Sequence, residues 1–208
     1  NFLDGNDIEV TYQDYYKDNY EGKTVANIPP DITHLGIEYN VMSIGKCAFW
    51  NCATLSTVNI SYGIEMIEDD AFSRCPALTS VNIPNSVTNI GAGAFLRTAL
   101  ATIAIPDNLT TIRERTFSQC ESLRSAIIPK SVTTIENSAF LKCWVLTEIT
   151  IPNGVTRIGK STFWGCKDLT KIELPNSLTT IDLEAFYSCY SLTSITIPKS
   201  VTTIGNGA

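Results

Sequence analysis

Cysteines are the residues of this chain with the most chemistry to offer, and six of the seven keep a fixed spacing. Cys52, Cys75, Cys120, Cys143, Cys166 and Cys189 fall in one column, with Thr98 standing at the missing place. A thiolate is a nucleophile and a soft-metal ligand, and with histidine it builds zinc sites and catalytic dyads. Intervals of 23 residues fit no finger or ribbon pattern, and His34, the only histidine, has no cysteine near it in sequence. His34 therefore reads as a surface or edge histidine, and the column as a ladder of buried free thiols behaving as small apolar side chains. Stacked disulfides between column neighbours are also geometrically allowed, although an odd total leaves one thiol over. Cys47 stands apart, because its column otherwise holds Asp70, Gly93, Arg115, Ser138, Ser161 and Glu184. Those residues are mostly polar, so Cys47 is the thiol expected to be reachable.

Carboxylates are the second candidate, since glycosidases and calcium sites need only Asp and Glu. Glu65, Glu68, Asp69 and Asp70 cluster, but their columns elsewhere carry Thr, Gly, Ala, Lys, Asn, Arg or Ser. The cluster reads as a solvated acidic rim. Gly91, Gly159 and Gly205 are repeated turn residues rather than a phosphate loop, and nothing has the form of a nucleophile elbow. The expectation is a chain with no catalytic set, no cofactor and no metal, and so no enzyme.

What positions these residues is a repeat. Phe49, Phe72, Phe95, Phe117, Phe140, Phe163 and Phe186 are spaced by 23 residues, except for 22 between Phe95 and Phe117. The Leu column (Leu55, Leu78, Leu100, Leu123, Leu146, Leu169, Leu192) keeps the same register, and a proline follows the strand in six of seven copies, Ser61 being the exception. A unit this short has no core of its own, so its apolar column must lie against that of its neighbour. Leu-x-x-Ile-x-Ile alternates as a short strand with one face inward, and successive strands would pair in parallel about 4.8 Å apart. Proline ends the strand because it cannot donate to the ladder. Val-x-x-Ile-Gly is a second inward segment, and Ala-Phe-x-x-Cys a tight helical or 3₁₀ turn.

The full pattern, Leu-x-x-Ile-x-Ile-Pro-x-x-Val-x-x-Ile-Gly-x-x-Ala-Phe-x-x-Cys, resembles the BspA-like leucine-rich repeat of bacterial surface proteins and some parasitic protists. The resemblance runs from about residue 28 to the end. It implies a repeat solenoid of the leucine-rich-repeat type: a right-handed curved coil with a parallel β-sheet on one face and short turns, 3₁₀ or helical segments on the other. It further implies a secreted or cell-surface location and a non-enzymatic role in adhesion or protein binding, without implying a ligand; the partner expected is a protein, of the host or of a cell surface. A carbohydrate-binding solenoid is the alternative.

Residues 28–208 are thus expected to form about eight coils, with residues 1–27 as an N-terminal cap and more repeats or a C-terminal cap beyond Ala208. Ile8 to Tyr20 begins like a strand and is rich in tyrosine, which reads as a cap or as a binding surface. Ile28, Pro29 and Pro30, then Leu35, Ile37, Val41, Ile44 and Gly45, read as a degraded first repeat. No signal peptide is visible, and the opening at Asn1 reads as a processed or trimmed chain. A net charge of −6 and a pI near 4.8 argue against nucleic acid or anionic membrane as partner. No apolar run approaches the roughly 20 residues of a membrane-spanning helix.

Two surfaces stand out for binding. On the outward strand face, Ser, Thr and Asn give way to Arg124, Ile127, Glu148, Lys171 and Glu173 on consecutive coils. Glu148 and Lys171 share a column and are expected to pair. On the turn side Leu141, Trp164 and Tyr187 follow phenylalanine on successive coils, with Trp50 at the other end and Trp144 and Tyr190 nearby. Large aromatics there serve either as an interface or sugar platform, or simply as packing between turns.

Overall fold

The computed structural model describes residues 7–10 and 22–208. The chain is a parallel β-solenoid of about seven turns, each adding one rung to two ladders. The first ladder holds Val25–Ile28, Thr57–Ile60 and Ser80–Asn82, continued by Thr102–Ala104 against Ser125–Ile127 and by Glu148–Thr150 against Lys171–Glu173. The second runs from Ile37–Ile44 through Met66–Ile67 to Asn89–Ile90, and again from Thr111–Ile112 to Thr203–Ile204. Register equals the repeat length, as in Thr57↔Ser80 and Glu148↔Lys171, so each residue faces its own equivalent one coil away.

This register makes the interior a set of like-on-like columns. Leu78, Leu100, Leu123, Leu146 and Leu169 are fully buried, and so are Phe72, Phe95, Phe140 and Phe163. From Phe49 to Phe186 the rings form one stacked row with centroids 5.2–5.8 Å apart. That spacing is the strand repeat stretched slightly by the offset that aromatic faces prefer. Phe186 is half-buried and stacks on Phe163.

The phenylalanine side of each coil is a run of turns, and no helix occurs among the described residues. Hydrogen bonding explains why. In the coil around Phe49 the amides of Cys47, Phe49 and Asn51 donate to Asp69, Ala71 and Ser73 of the next coil, at 3.0, 2.7 and 2.8 Å. The alternate amides of Ala48, Trp50 and Cys52 close local turns onto Gly45, Cys47 and Phe49. A helix would direct every amide back along its own chain. Aiming every second amide at the neighbour instead requires left-handed backbone at two columns: Cys47, Asp70, Ser138 and Glu184 have φ of 58°, 54°, 57° and 56°, and Asn51, Arg74 and Lys142 have 60°, 60° and 56°. Each such non-glycine residue costs about 1–2 kcal/mol, which the inter-coil bonds offset.

One segment departs from the expected repeat. Val87 and Val132 follow their prolines by three residues and donate to the proline carbonyl at 3.0 and 3.1 Å, whereas Val41 follows Pro30 by eleven and still makes that bond, at 2.8 Å. Ile28 pairs with Ile60, 32 residues on, and Ile44 with Ile67, 23 on, so nine residues are inserted without opening the corner, and the acceptor here is the residue after the column proline Pro29. They form a hairpin in which Asp31–His34 pairs antiparallel with Ile37–Asn40, closed by Leu35-Gly36 with φ of 52° and 77°. Positive φ at both positions marks a type I′ turn. Leu35 (88% exposed) and Ile37 are consequently hairpin residues in solvent, not the inward residues of a degraded repeat; Val41, Ile44 and Ile28 are buried as expected. His34 lies exposed at the end of this hairpin. Asp7–Val10 adds a parallel rung against Asn40–Ile44; the rest of the tyrosine-rich stretch to Tyr20 lies outside the described residues.

Candidate functional site

The thiol ladder is held by its own hydrogen bonds. Cys75, Cys120, Cys143, Cys166 and Cys189 each donate S–H to the carbonyl of a phenylalanine on the preceding coil, namely Phe49, Phe95, Phe117, Phe140 and Phe163, at 3.0–3.3 Å. Thr98 departs from this pattern: its hydroxyl donates to Phe95 of its own coil at 3.0 Å and meets Cys120 Sγ at 3.3 Å. All seven cysteines are free; Cys189 and Cys47 are half-buried and the others buried. Burial pushes Cys120 up to about 11 and holds Cys143 and Cys166 well above the ordinary thiol value. A protonated, enclosed thiol is neither nucleophile nor ligand, so the ladder is structural. Cys47 is reachable as expected, but burial and Asp70 raise its pKa, and Cys189 is open to a similar degree.

The acidic rim also has structural work. Glu68 Oε2 accepts from the Lys46 amide at 3.1 Å and Asp69 Oδ1 from the Ala92 amide at 2.8 Å, each carboxylate fastening a neighbouring coil. Glu136 and Asn137 do the same for Glu114 and Lys160. Among the described residues no group of three or more His, Cys, Asp or Glu is placed to hold a metal ion.

Both expected surfaces are assembled by the fold. Arg124, Ile127, Glu148, Lys171 and Glu173 are all exposed, with Ile127 at 71%. Glu148 faces Lys171 in register, yet the lysine ammonium sits 2.8 Å from Glu173 on its own strand. Alternation places residues two apart on one face, so both carboxylates are within reach of the ammonium and the lysine rotamer takes the one on its own strand. Glu148 acts on Lys171 only as a weaker neighbouring charge.

On the turn side Trp164 is enclosed rather than displayed. Its ring stacks on Tyr187 at 6.3 Å, and Lys142 of the preceding coil covers it with Nζ 5.0 Å from the centroid. Lys167 covers Trp144 in the same way at 4.7 Å, and Arg74 covers Trp50 at 5.8 Å. Leu141 and Trp144 are half-buried, leaving Tyr187 (52%) and Tyr190 (76%) as the open aromatics of the patch. Trp144 and Trp164 are half-buried under these lysines, whereas Trp50 remains 45% exposed.

Sequence reasoning missed a further feature at the other end. A cleft of about 570 Å³ lies where the first coils turn out of the strand, lined by Asn27, Asn59, Asn82, Pro29, Pro30 and Tyr62 among others. Its signal was Ser61, the one copy without the strand-ending proline, which is followed directly by Tyr62.

Comparison with known proteins agrees with this geometry. The profile described as BspA type leucine-rich repeat region matches in six copies over residues 29–146 and 133–208. Among solved structures, a leucine-rich repeat protein of T. pallidum is similar at 29% identity and TM-score 0.77, over 82% of this chain and 78% of that one. A leucine-rich cell surface protein from Faecalibacterium prausnitzii A2-165 is 33% identical with TM-score 0.60, over 88% of this chain and 44% of that one. A leucine-rich repeat protein from Eubacterium ventriosum shares the fold at 24% identity and TM-score 0.63, over 90% of this chain and 57% of that one. No curated protein matches the chain.

Proposed function

The chain belongs to the BspA-type leucine-rich repeat family, and from that premise we propose that it is a non-enzymatic protein-binding and adhesion module of a secreted or cell-surface protein. Leucine-rich repeat solenoids are in general interaction scaffolds rather than enzymes, and the F. prausnitzii relative is itself described as a cell surface protein. Residues 1–27 act as the cap and residues 28–208 as the array, with the strand Val25–Ile28 as the seam that joins the cap to the first ladder; the rung contributed by Asp7–Val10 supports the first part of this reading.

One observation carries the choice of surface. Ile127 is 71% exposed in the middle of the first-strand face, where the equivalent positions elsewhere are mostly Asn, Thr or Glu. An apolar residue with Arg124 on its own coil and Glu148, Lys171 and Glu173 on the next two coils has the form of a contact hot spot with charges along one side. The partner is a protein of the host or of a cell surface, engaged without nucleic acid or membrane insertion; among the described residues no helix is long and apolar enough to cross a membrane.

The test is retention of cell-surface proteins by the immobilised chain beside an Ile127→Asp variant. Loss of a hot spot worth about 2 kcal/mol weakens binding roughly 30-fold. Equal retention by both chains, or by neither, refutes the assignment. A glycan-binding reading on the turn side rests on Tyr187 and Tyr190, the aromatics left open there; it requires a Tyr190→Ala variant to lose a sugar ligand.

A further inference from the structure

We infer that the cleft at the corner of the N-terminal coils is a subsite for a neutral sugar. Asn27, Asn59 and Asn82 stand opposite one another in register on three successive strands, all exposed. Asn59 Nδ2 donates to Asn27 Oδ1 at 2.8 Å, which fixes both amides, and leaves Nδ2 of Asn27, Oδ1 of Asn59 and the whole Asn82 amide without a partner among the described residues. The cleft therefore offers donors and acceptors interleaved at the strand repeat of about 4.8 Å. A sugar hydroxyl both donates and accepts, so a ring carrying several of them suits this row better than a ligand with one kind of group.

The walls agree with that ligand. Tyr62, 76% exposed, lines the cleft with its aromatic side chain, and Pro29 and Pro30 line it with apolar rings. Apolar rings flanking a few oriented polar groups is the usual make-up of a small-molecule site, and about 570 Å³ falls within the roughly 300–1,000 Å³ such sites occupy. No lining residue is charged, which disfavours ionic ligands.

This chemistry is not a by-product of the repeat. The matching cleft near the other end, about 410 Å³, has Glu173 and Thr196 at the positions equivalent to the asparagines, with Lys171 beside them. The amide row and the exposed tyrosine belong to the first coils alone. The subsite lies apart from the Ile127 surface, so failure of either proposal leaves the other standing.

The experiment presents the whole chain to an array of neutral hexose- and N-acetylhexosamine-terminated glycans, with saturation-transfer NMR on the sugars retained. The subsite predicts saturable binding to at least one neutral class. Tyr62→Ala weakens it at least tenfold and Asn82→Ala severalfold, while Tyr62→Phe retains it; neither position is part of the core, so the melting temperatures stay put. A blank array overturns the proposal. So does binding that survives Tyr62→Ala, that disappears with Tyr190→Ala instead, or that is confined to anionic glycans.

Discussion

Replacing one phenylalanine of the stacked row tests how the solenoid is held together. Phe140 is fully buried, with Phe117 at 5.5 Å on one side and Phe163 at 5.6 Å on the other. Truncating a buried phenylalanine to alanine costs about 3–5 kcal/mol through lost transfer energy and the cavity left behind. Each stacked aromatic neighbour adds about 0.5–1.5 kcal/mol beyond area. Phe140 has such a neighbour on both faces, so Phe140→Ala should cost about 5 kcal/mol. Phe186 is half-buried and stacks on Phe163 alone, so Phe186→Ala should cost about 2 kcal/mol on the same scale. The difference of about 3 kcal/mol follows from nearest-neighbour stability in a repeat array. Urea unfolding followed by circular dichroism measures both, with Phe140→Leu as a variant that keeps volume and loses only the ring. Equal costs at the two positions would refute the reasoning, because they would mean that the row does not transmit stability from coil to coil.

Other expectations follow from the same packing. A Cβ on Gly91 would lie 2.3 Å from the Asp69 backbone nitrogen, whereas one on Gly165 meets only Lys142, at 3.4 Å from Cγ; Gly91→Ala should cost about 3 kcal/mol or more by overpacking, and Gly165→Ala about 1 kcal/mol for its positive φ, by denaturant titration. Ser138 holds a φ of 57°, so Ser138→Gly should raise stability by up to about 1 kcal/mol, the relief of backbone strain outweighing the added freedom of the unfolded chain. Burial lifts Cys120 from the ordinary 9.0 to about 11, so the folded chain keeps a thiol proton that the unfolded chain releases. Stability is then full below about pH 9 and falls by on the order of 3 kcal/mol toward pH 11 from this group. Thermal melts from pH 7 to 11 should show a shallower alkaline decline in Cys120→Ala than in the parent.

Most of the fold was legible because identical residues in identical places leave little freedom. Seven phenylalanines at one period demanded a single interior row, and leucine and proline columns in the same register placed the strands and their ends. The misreadings arose where side-chain type does not report backbone direction. Ala-Phe-x-x-Cys has a helix-like spacing of apolar residues, but its amides alternate between chain and neighbour, which the pattern of side chains does not encode. Leu35 and Ile37 were apolar and near the right count, and only the eleven-residue gap from Pro30 to Val41 betrayed the hairpin. Glu148 and Lys171 were correctly placed opposite each other, yet which of two nearby carboxylates the ammonium chooses depends on rotamers that spacing leaves open. The Tyr62 cleft was hidden because a single departure in the proline column looks like noise until the corner it opens is seen.

The hairpin between Pro30 and Val41 has a consequence for engineering. Since the closing bond from Val41 to Pro30 is as short as its uninterrupted counterparts, that bend tolerates foreign length without disturbing the rungs on either side. Every proline-to-valine bend along the molecule is then a docking port for grafted peptides, at an entropic penalty that grows only logarithmically with insert length. Several epitopes could be displayed along one edge at a fixed pitch, with the scaffold itself serving as the ruler.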